Sequence, residues 1–229
     1  MEPISRQRPD CCLDIALNKF MNRHSMVHSL KILRDLVPIA TIIDVGVANE
    51  TQELVYLFPD KPHILFEPNT ALYSVIHQHY TYHNIEYTLR ETAVDKVKTL
   101  DGEMSNLTYD SPYLLKIDVD GSELEVLAGA VDTLPFCSCA VVECTVGAGV
   151  TTMMQLLNFF NLHNFSLWDI VNMSYCQDHM WQVDIVLVNN KSNVERLHFQ
   201  EDNAGYRFVD PEDWISDPDV ISGEFLLKK

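Results

Sequence analysis

The sequence predicts an α/β domain: a seven-stranded, mostly parallel sheet with helices on both faces and a terminal antiparallel strand pair. Three segments carry that expectation. Thr41-Ile42-Ile43-Asp44-Val45-Gly46 is an apolar run closed by an acid and a glycine. His63-Ile64-Leu65-Phe66-Glu67-Pro68 repeats the pattern one β-α-β unit later, and Leu114-Leu115-Lys116-Ile117-Asp118-Val119-Asp120-Gly121 repeats it again. Buried parallel strands read this way when they deliver a polar group to their carboxyl ends. Ligands of open α/β sheets bind in the crevice outside those ends. Asp44 and Glu67 suit a nucleoside ligand, with a turn at the first strand and a carboxylate on ribose hydroxyls from the second.

The elements follow in order. Residues 1–37 form an N-terminal segment. Its helical pattern runs from Asp14 to Leu36 through Leu17, Phe20, Met21, Met26, Leu30, Ile32 and Leu33, and Pro38 ends it. Residues 38–199 carry strands over 41–45, 63–67, 84–89, 113–119, 139–144, 165–170 and 181–189. Helices are expected from Glu50 to Phe58, Thr70 to Tyr80, Ser122 to Leu134 and Thr151 to His163. In the third of these, Leu124, Leu127, Val131 and Leu134 form one stripe closed by Pro135. In the fourth, Met153, Leu156, Leu157 and Phe160 form another. No long helical pattern separates the last two strands, so they pair antiparallel through a 171–180 loop. Strand-helix alternation gives the parallel sheet. Residues 200–229 read as an acidic tail.

Composition narrows the partners. The chain has 229 residues, 47% hydrophobic and 21% charged, which is ordinary for a globular domain with a real core. A net charge of −17 repels phosphate, so neither nucleic acid nor an anionic membrane is expected as a partner. The six cysteines are irregularly spaced and lack paired zinc spacing. Cys139 and Cys144 read as core or strand-end thiols. No stretch reads as a secretion signal or a membrane span. The expectation is a cytoplasmic protein without stable membrane insertion.

Four segments, in order, resemble the FkbM family of S-adenosylmethionine-dependent methyltransferases. Ile43-Asp44-Val45-Gly46 resembles the family's nucleotide-loop motif. Phe58-Pro59 followed by Phe66-Glu67-Pro68 resembles its second strand with the ribose acid. Val97-Lys98-Thr99-Leu100-Asp101 resembles its v-x-T-L-D segment. Leu115 to Ala130 resembles its long LKIDvEGxExxVLxGa block, and Val141-Val142-Glu143 its next strand. The resemblance covers roughly residues 30–190. It implies a Rossmann-like class I methyltransferase fold, S-adenosyl-L-methionine as cofactor, and O-methyl transfer to a hydroxyl of a sugar or other small metabolite, a small-molecule or glycan acceptor. Three positions depart from the family. Glu50 stands about where a second loop glycine is usual, with Asn49 one place late. The stretch from Glu67 to Thr99 is short. Asp120 replaces a glutamate.

The resemblance assigns cofactor contacts to Asp44, Gly46, Asn49, Glu67, Ala93, Asp95 and Asp118. Asp118, Asp120 and Glu143 are the candidate catalytic residues. Carboxylates at the exit of an apolar strand are costly to bury unless bonded or ligand-bound, and Glu143 is placed to take a proton from an acceptor hydroxyl. Ser122 reads as a helix cap, with Glu125 completing a capping box. His179, in a loop, is a weaker candidate base. Asp118, Asp120 and Glu143 would also suit Mg²⁺, but no metal is expected. Glu50, at a helix start, is expected to point outward. The alternative function is a methyltransferase-like fold that binds a nucleoside or protein partner without catalysis. A nicotinamide-dependent dehydrogenase is disfavoured, because the first turn lacks G-x-G-x-x-G.

Overall fold

A computed structural model describes residues 25–146, 152–176 and 178–192. The expected helix before residue 25 and the acidic tail lie outside those residues. The sheet has seven strands: β1 Thr41–Val45, β2 His63–Phe66, β3 Tyr87–Arg90, β4 Tyr113–Ile117, β5 Cys137–Thr145, β6 Phe165–Cys176 and β7 His179–Asn189. Their spatial order is β3-β2-β1-β4-β5-β7-β6. The first five strands are parallel, while β7 is antiparallel to both β5 and β6. The chain steps from β1 outward to β3, then returns past β1 to β4. That reversal opens a crevice at the carboxyl ends of β1 and β4.

The helices are α1 Met26–Leu36, α2 Gln52–Leu57, α3 Tyr73–Tyr82, α4 Leu100–Met104, α5 Glu123–Ala128 and α6 Met153–Leu162. Ser25 caps α1, its Oγ accepting from the His28 N–H at 3.3 Å. Met26, Val27, Leu30 and Leu33 of α1 are buried with Leu54 and Leu57 of α2 against Ile42, Leu114, Val141 and Val186. Ile32 and Leu36, expected on that stripe, are exposed. Val126, Leu127, Leu156 and Phe160 cover the other face over Ile43, Leu115, Val142 and Ile185. β1 is buried along its whole length, as a strand covered on both faces must be.

Three elements differ from the sequence expectation. The helix from 122 stops at Ala128, and Val131 is exposed. Asp101 explains the stop. Its carboxylate accepts from the Asp132 and Thr133 N–H groups at 2.9 and 2.7 Å, so the helix does not continue through them. Pro135 then sits in a 3₁₀ turn, Leu134–Phe136. The second difference is α4, which the sequence reading omits; Thr99 Oγ1 caps it by accepting from the Gly102 N–H. The third is the 171–180 region. It is not a loop: β6 runs to Cys176 and β7 starts at His179. Residues 172–176 are exposed, so ladder hydrogen bonds rather than apolar burial hold this part of the ribbon.

Candidate functional site

A cleft of about 500 Å³ opens at the carboxyl ends of β1, β2 and β4 and at the loop after β3. Gly46 begins the first turn with φ +85°, and a Cβ there would lie 1.7 Å from the Asp118 carbonyl oxygen. Only glycine lets the β1 and β4 exits pass this closely. Backbone bonds lock the crossing: the Gly46 N–H donates to Phe66 O, and the Asp118 N–H to Val45 O, each at 2.9 Å.

Glu67 sits at the wall, 6% exposed. Its Oε2 accepts from the Ala48 N–H at 2.9 Å, and its Oε1 from the Asn69 N–H at 2.8 Å. A carboxylate offers about four lone-pair positions, so acceptor capacity remains on a side chain already fixed in place. Ala93 and Asp95 line the cleft beside Thr92 and Val94. Asp95 Oδ1 accepts from the Val97 and Lys98 N–H groups at 2.6 and 2.8 Å. These backbone bonds hold its carboxyl below the ordinary range. Arg90, at the end of β3, is tied to Glu103 of α4, with Nε donating to Oε2 at 2.8 Å.

The β4 side is different. Asp118 lines the cleft with its side chain 38% exposed. Behind it, Lys116 is buried, with Nζ 3.1 Å from Asp118 Oδ2 and 3.6 Å from Asp44 Oδ1. Burial alone would lower the Lys116 ammonium pKa, but the Asp44 and Asp118 carboxylates overcome this and raise it. Glu143, two residues before the end of β5, lies directly opposite Asp184 of β7. Burial, then the Asp118 charge, pushes the Glu143 carboxyl up to about 8. Burial pushes Asp184 up to about 6, against the opposing bond from Asn172 Nδ2 at 2.7 Å. Asn172 Oδ1 in turn accepts from the Met26 N–H at the start of α1.

The remaining sequence candidates fall as follows. Asp44 is fully buried and does not line the cleft; its Oδ2 accepts from Thr51 Oγ1 at 2.7 Å. Burial raises its pKa, against the pull of Lys116. Asn49 is exposed on the loop and forms no part of the wall. Asp120 lines the cleft, exposed, with φ +52°. Ser122 also lines it, but makes no side-chain capping bond. Glu123 serves that end instead, accepting from the Gly121 N–H at 2.7 Å. The capping box does not form: Glu125 pairs with Lys96 at 3.1 Å. His179 is an exposed strand residue opposite Cys176. Glu50 turns from the cleft toward α3, with Oε2 3.1 Å from His79 Nδ1. Sequence reasoning missed Lys116 and Asp184. The signal was present: a lysine between apolar neighbours in a buried strand, and an aspartate in the apolar run Val183 to Leu187. Cys139 and Cys144 are buried, and burial pushes both thiols up to about 12.

A switch-point cleft with a backbone-held carboxylate just after the second strand is the place where open α/β sheets bind their ligands. The FkbM methyltransferase domain matches residues 17–167, and the chain belongs to that family. No curated protein matches it. Among solved structures, it is similar to magnesium protoporphyrin IX methyltransferase from Synechocystis PCC 6803 with bound SAM. The TM-score is 0.51 at 11% identity, covering 81% of this chain and 86% of that one. A putative rRNA-methylase from Clostridium thermocellum gives 0.50 at 11%, covering 73% and 98%. Both share the fold. Among the described residues, no group of three or more His, Cys, Asp or Glu is placed to hold a metal ion, and no helix is long and apolar enough to cross a membrane.

Proposed function

We propose that the chain is an S-adenosylmethionine-dependent O-methyltransferase acting on a hydroxyl of a sugar or other small metabolite. The observation that supports this reading is the cleft wall at Glu67. Its two oxygens are held by backbone N–H groups with acceptor capacity to spare, which fits a vicinal ribose diol. The tight turn at Gly46 and Ala48 leaves room for the amino-acid end, and Leu72, Ala93 and Val94 supply apolar contact for a base. Asp95 borders that base. Asp44 contributes from below, fixing the turn through Thr51.

The cofactor, when bound, supplies a methyl group on an electron-poor sulfonium. The protein's task is then alignment and removal of the acceptor's proton. Asp118, Asp120 and Glu143 are the groups available for it. Among the described residues, Glu67, Asp95, Asp118, Asp120 and Glu125 line the cleft without any Lys, Arg or His. That charge favours a neutral hydroxylated acceptor over a phosphorylated one. The non-catalytic alternative draws on Glu50 in the loop and on the short stretch from Glu67 to Thr99; of these, Glu50 is directed to His79 and away from the cleft. Titration calorimetry with S-adenosylmethionine and S-adenosylhomocysteine, with NAD as control, tests the cofactor. Transfer of labelled methyl to a panel of neutral glycosides tests the acceptor. Saturable binding of both sulfur compounds is the expected result. A folded protein that binds neither would overturn the proposal.

A further inference from the structure

Lys116 on β4 is 5% exposed and stands beside Asp44 of β1 in the parallel register. Alternate residues of an extended chain share a face, so its ammonium reaches both Asp44 and Asp118, two residues on. The two contacts differ. Lys116 Nζ donates to Asp118 Oδ2 at 3.1 Å. Asp44 Oδ1 lies 3.6 Å away, within ion-pair range, and accepts no hydrogen bond from any described residue. The other oxygen of Asp44 is held by Thr51 Oγ1 at 2.7 Å. Asp44 therefore anchors the charge, while the directed N–H goes to the residue at the cleft.

We infer that Lys116 is a positioning residue that braces the Asp118 carboxylate at the cleft wall and ties it to the Asp44–Thr51 pair. The Asp118 backbone is already fixed, its N–H donating to Val45 O at 2.9 Å. Its side chain is 38% exposed, and an exposed side chain exchanges among staggered rotamers. A buried donor behind it removes that freedom. A carboxylate has about four lone-pair positions, so the one taken by Lys116 leaves capacity for a ligand in the cleft. Asp118 also stands among like charges, since Glu67, Asp95, Asp120 and Glu125 line the same cleft. Lys116 offsets their repulsion at short range. It does not itself line the cleft, so it acts on a ligand only through Asp118.

The same cation joins two segments of the site. Thr51 precedes α2, at the end of the turn that Gly46 begins, and Asp118 leaves β4. Removing Lys116 leaves Asp44 buried with Thr51 as its remaining printed partner, which costs stability, because an uncompensated buried charge is expensive. It also releases Asp118, which costs affinity. The two costs are separable, because only the second passes through Asp118.

The inference rests on the cofactor reading above, in which Asp118 meets the ligand, and its test needs no turnover. In the full chain labelled with ¹⁵N-lysine, a buried and hydrogen-bonded ammonium exchanges its protons slowly enough to be observed by NMR. The Lys116 signal is assigned by its loss in Lys116→Arg. Asp118→Ala should shift that signal and hasten its exchange, whereas Asp120→Ala should leave its exchange unchanged. In calorimetry, Lys116→Met should weaken S-adenosylhomocysteine binding about tenfold or more, the scale of a lost hydrogen bond to a charged group. In the Asp118→Ala background the same substitution should cost less than about threefold further, because the residue it acts through is gone. If Lys116→Met does not fold, Lys116→Gln replaces it in this cycle. Unchanged affinity, losses that multiply, or a signal indifferent to Asp118→Ala overturns the inference. Wild type that binds no S-adenosylhomocysteine, with an ammonium that still answers to Asp118→Ala, keeps the brace and overturns the cofactor reading. Binding with an indifferent ammonium does the reverse.

Discussion

The two sides of the cleft handle carboxylates in opposite ways. On the β1–β3 side, Glu67 and Asp95 each accept from two backbone N–H groups. Their position is fixed by the main chain, and they make rigid acceptors. On the β4–β7 side, Asp118, Glu143 and Asp184 crowd one another around one buried lysine. Burial raises the carboxyls of Glu143 and Asp184, so their charge depends on protons. Acceptors fixed by backbone geometry suit recognition, whereas competing acids suit proton exchange. Substitutions should therefore cost affinity on the first side and shift pH dependence on the second.

The largest effect is expected where the two sides cross. Gly46→Ala drives a Cβ into the Asp118 carbonyl at 1.7 Å and places a side chain at φ +85°. A clash with backbone cannot relax cheaply, so stability in urea unfolding should fall by about 4 kcal/mol or more. Gly121→Ala is the control. Its φ is +105°, but nothing lies within 4 Å of the added Cβ, so only the backbone strain of about 1–2 kcal/mol applies. Equal losses at the two positions would mean that the β1–β4 approach is looser than described.

On the recognition side, Glu67→Ala removes the acceptor proposed for the ribose. Affinity for S-adenosylhomocysteine should fall by about 1.5–3 kcal/mol, the scale of hydrogen bonds to a charged group. The Ala48 and Asn69 N–H groups also lose their partner, so part of this is loss of a preformed turn. Glu67→Gln retains one oxygen acceptor and should fall between wild type and alanine. Unchanged affinity in a folded Glu67→Ala protein would remove Glu67 from the binding role.

On the proton side, the test is stability against pH. Glu143 has its carboxyl raised to about 8 in the folded state, against roughly 4.3 for an unfolded chain. The folded form holds this proton where the unfolded form does not. Its stabilisation is therefore fully present below the unfolded value and is lost as pH rises through about 8. Glu143→Gln removes that dependence. The melting temperature of wild type should fall from pH 6 to pH 9 by more than that of Glu143→Gln. Parallel curves for the two proteins would contradict a raised Glu143.

The same contrast explains what the sequence reveals. The recognition side is local: an apolar strand, a glycine or proline, and an acid at a set place in the chain. Gly46 and Glu67 can be picked out in this way, and so can the parallel strands, whereas Asp95 comes only through the resemblance to the family. The proton side is long-range. Lys116 meets Asp44 only through the β1–β4 register, and Glu143 meets Asp184 only because β7 inserts antiparallel beside β5. No spacing along the chain encodes that. The shortened α5 has the same origin, since Asp101 takes the N–H groups of Asp132 and Thr133 from a distance. The extended β6–β7 ribbon is missed for another reason: residues 172–176 bury nothing, so they carry no hydrophobic period.

The smallest effect is expected at Glu50, one of the positions where the chain departs from the family pattern. A glutamate in a nucleotide loop would be costly if it faced the cleft, because its charge would oppose the cofactor's carboxylate. It does not face the cleft. Its side chain is 16% exposed and lies against α3 at His79, and Gln52 donates to its other oxygen at 3.3 Å. Glu50→Gly therefore trades a loop-to-helix contact for backbone freedom and opens no new space at the binding wall. Affinity for S-adenosylhomocysteine should change by less than about tenfold, or 1.4 kcal/mol. Any loss should appear mainly as a slightly less stable loop. His79→Ala should reproduce it, because it removes the same contact from the other side. Wild type that binds nothing while Glu50→Gly binds strongly would show that this residue closes the site in solution. The recognition side would then be a vestige, and the non-catalytic reading would displace the enzymatic one.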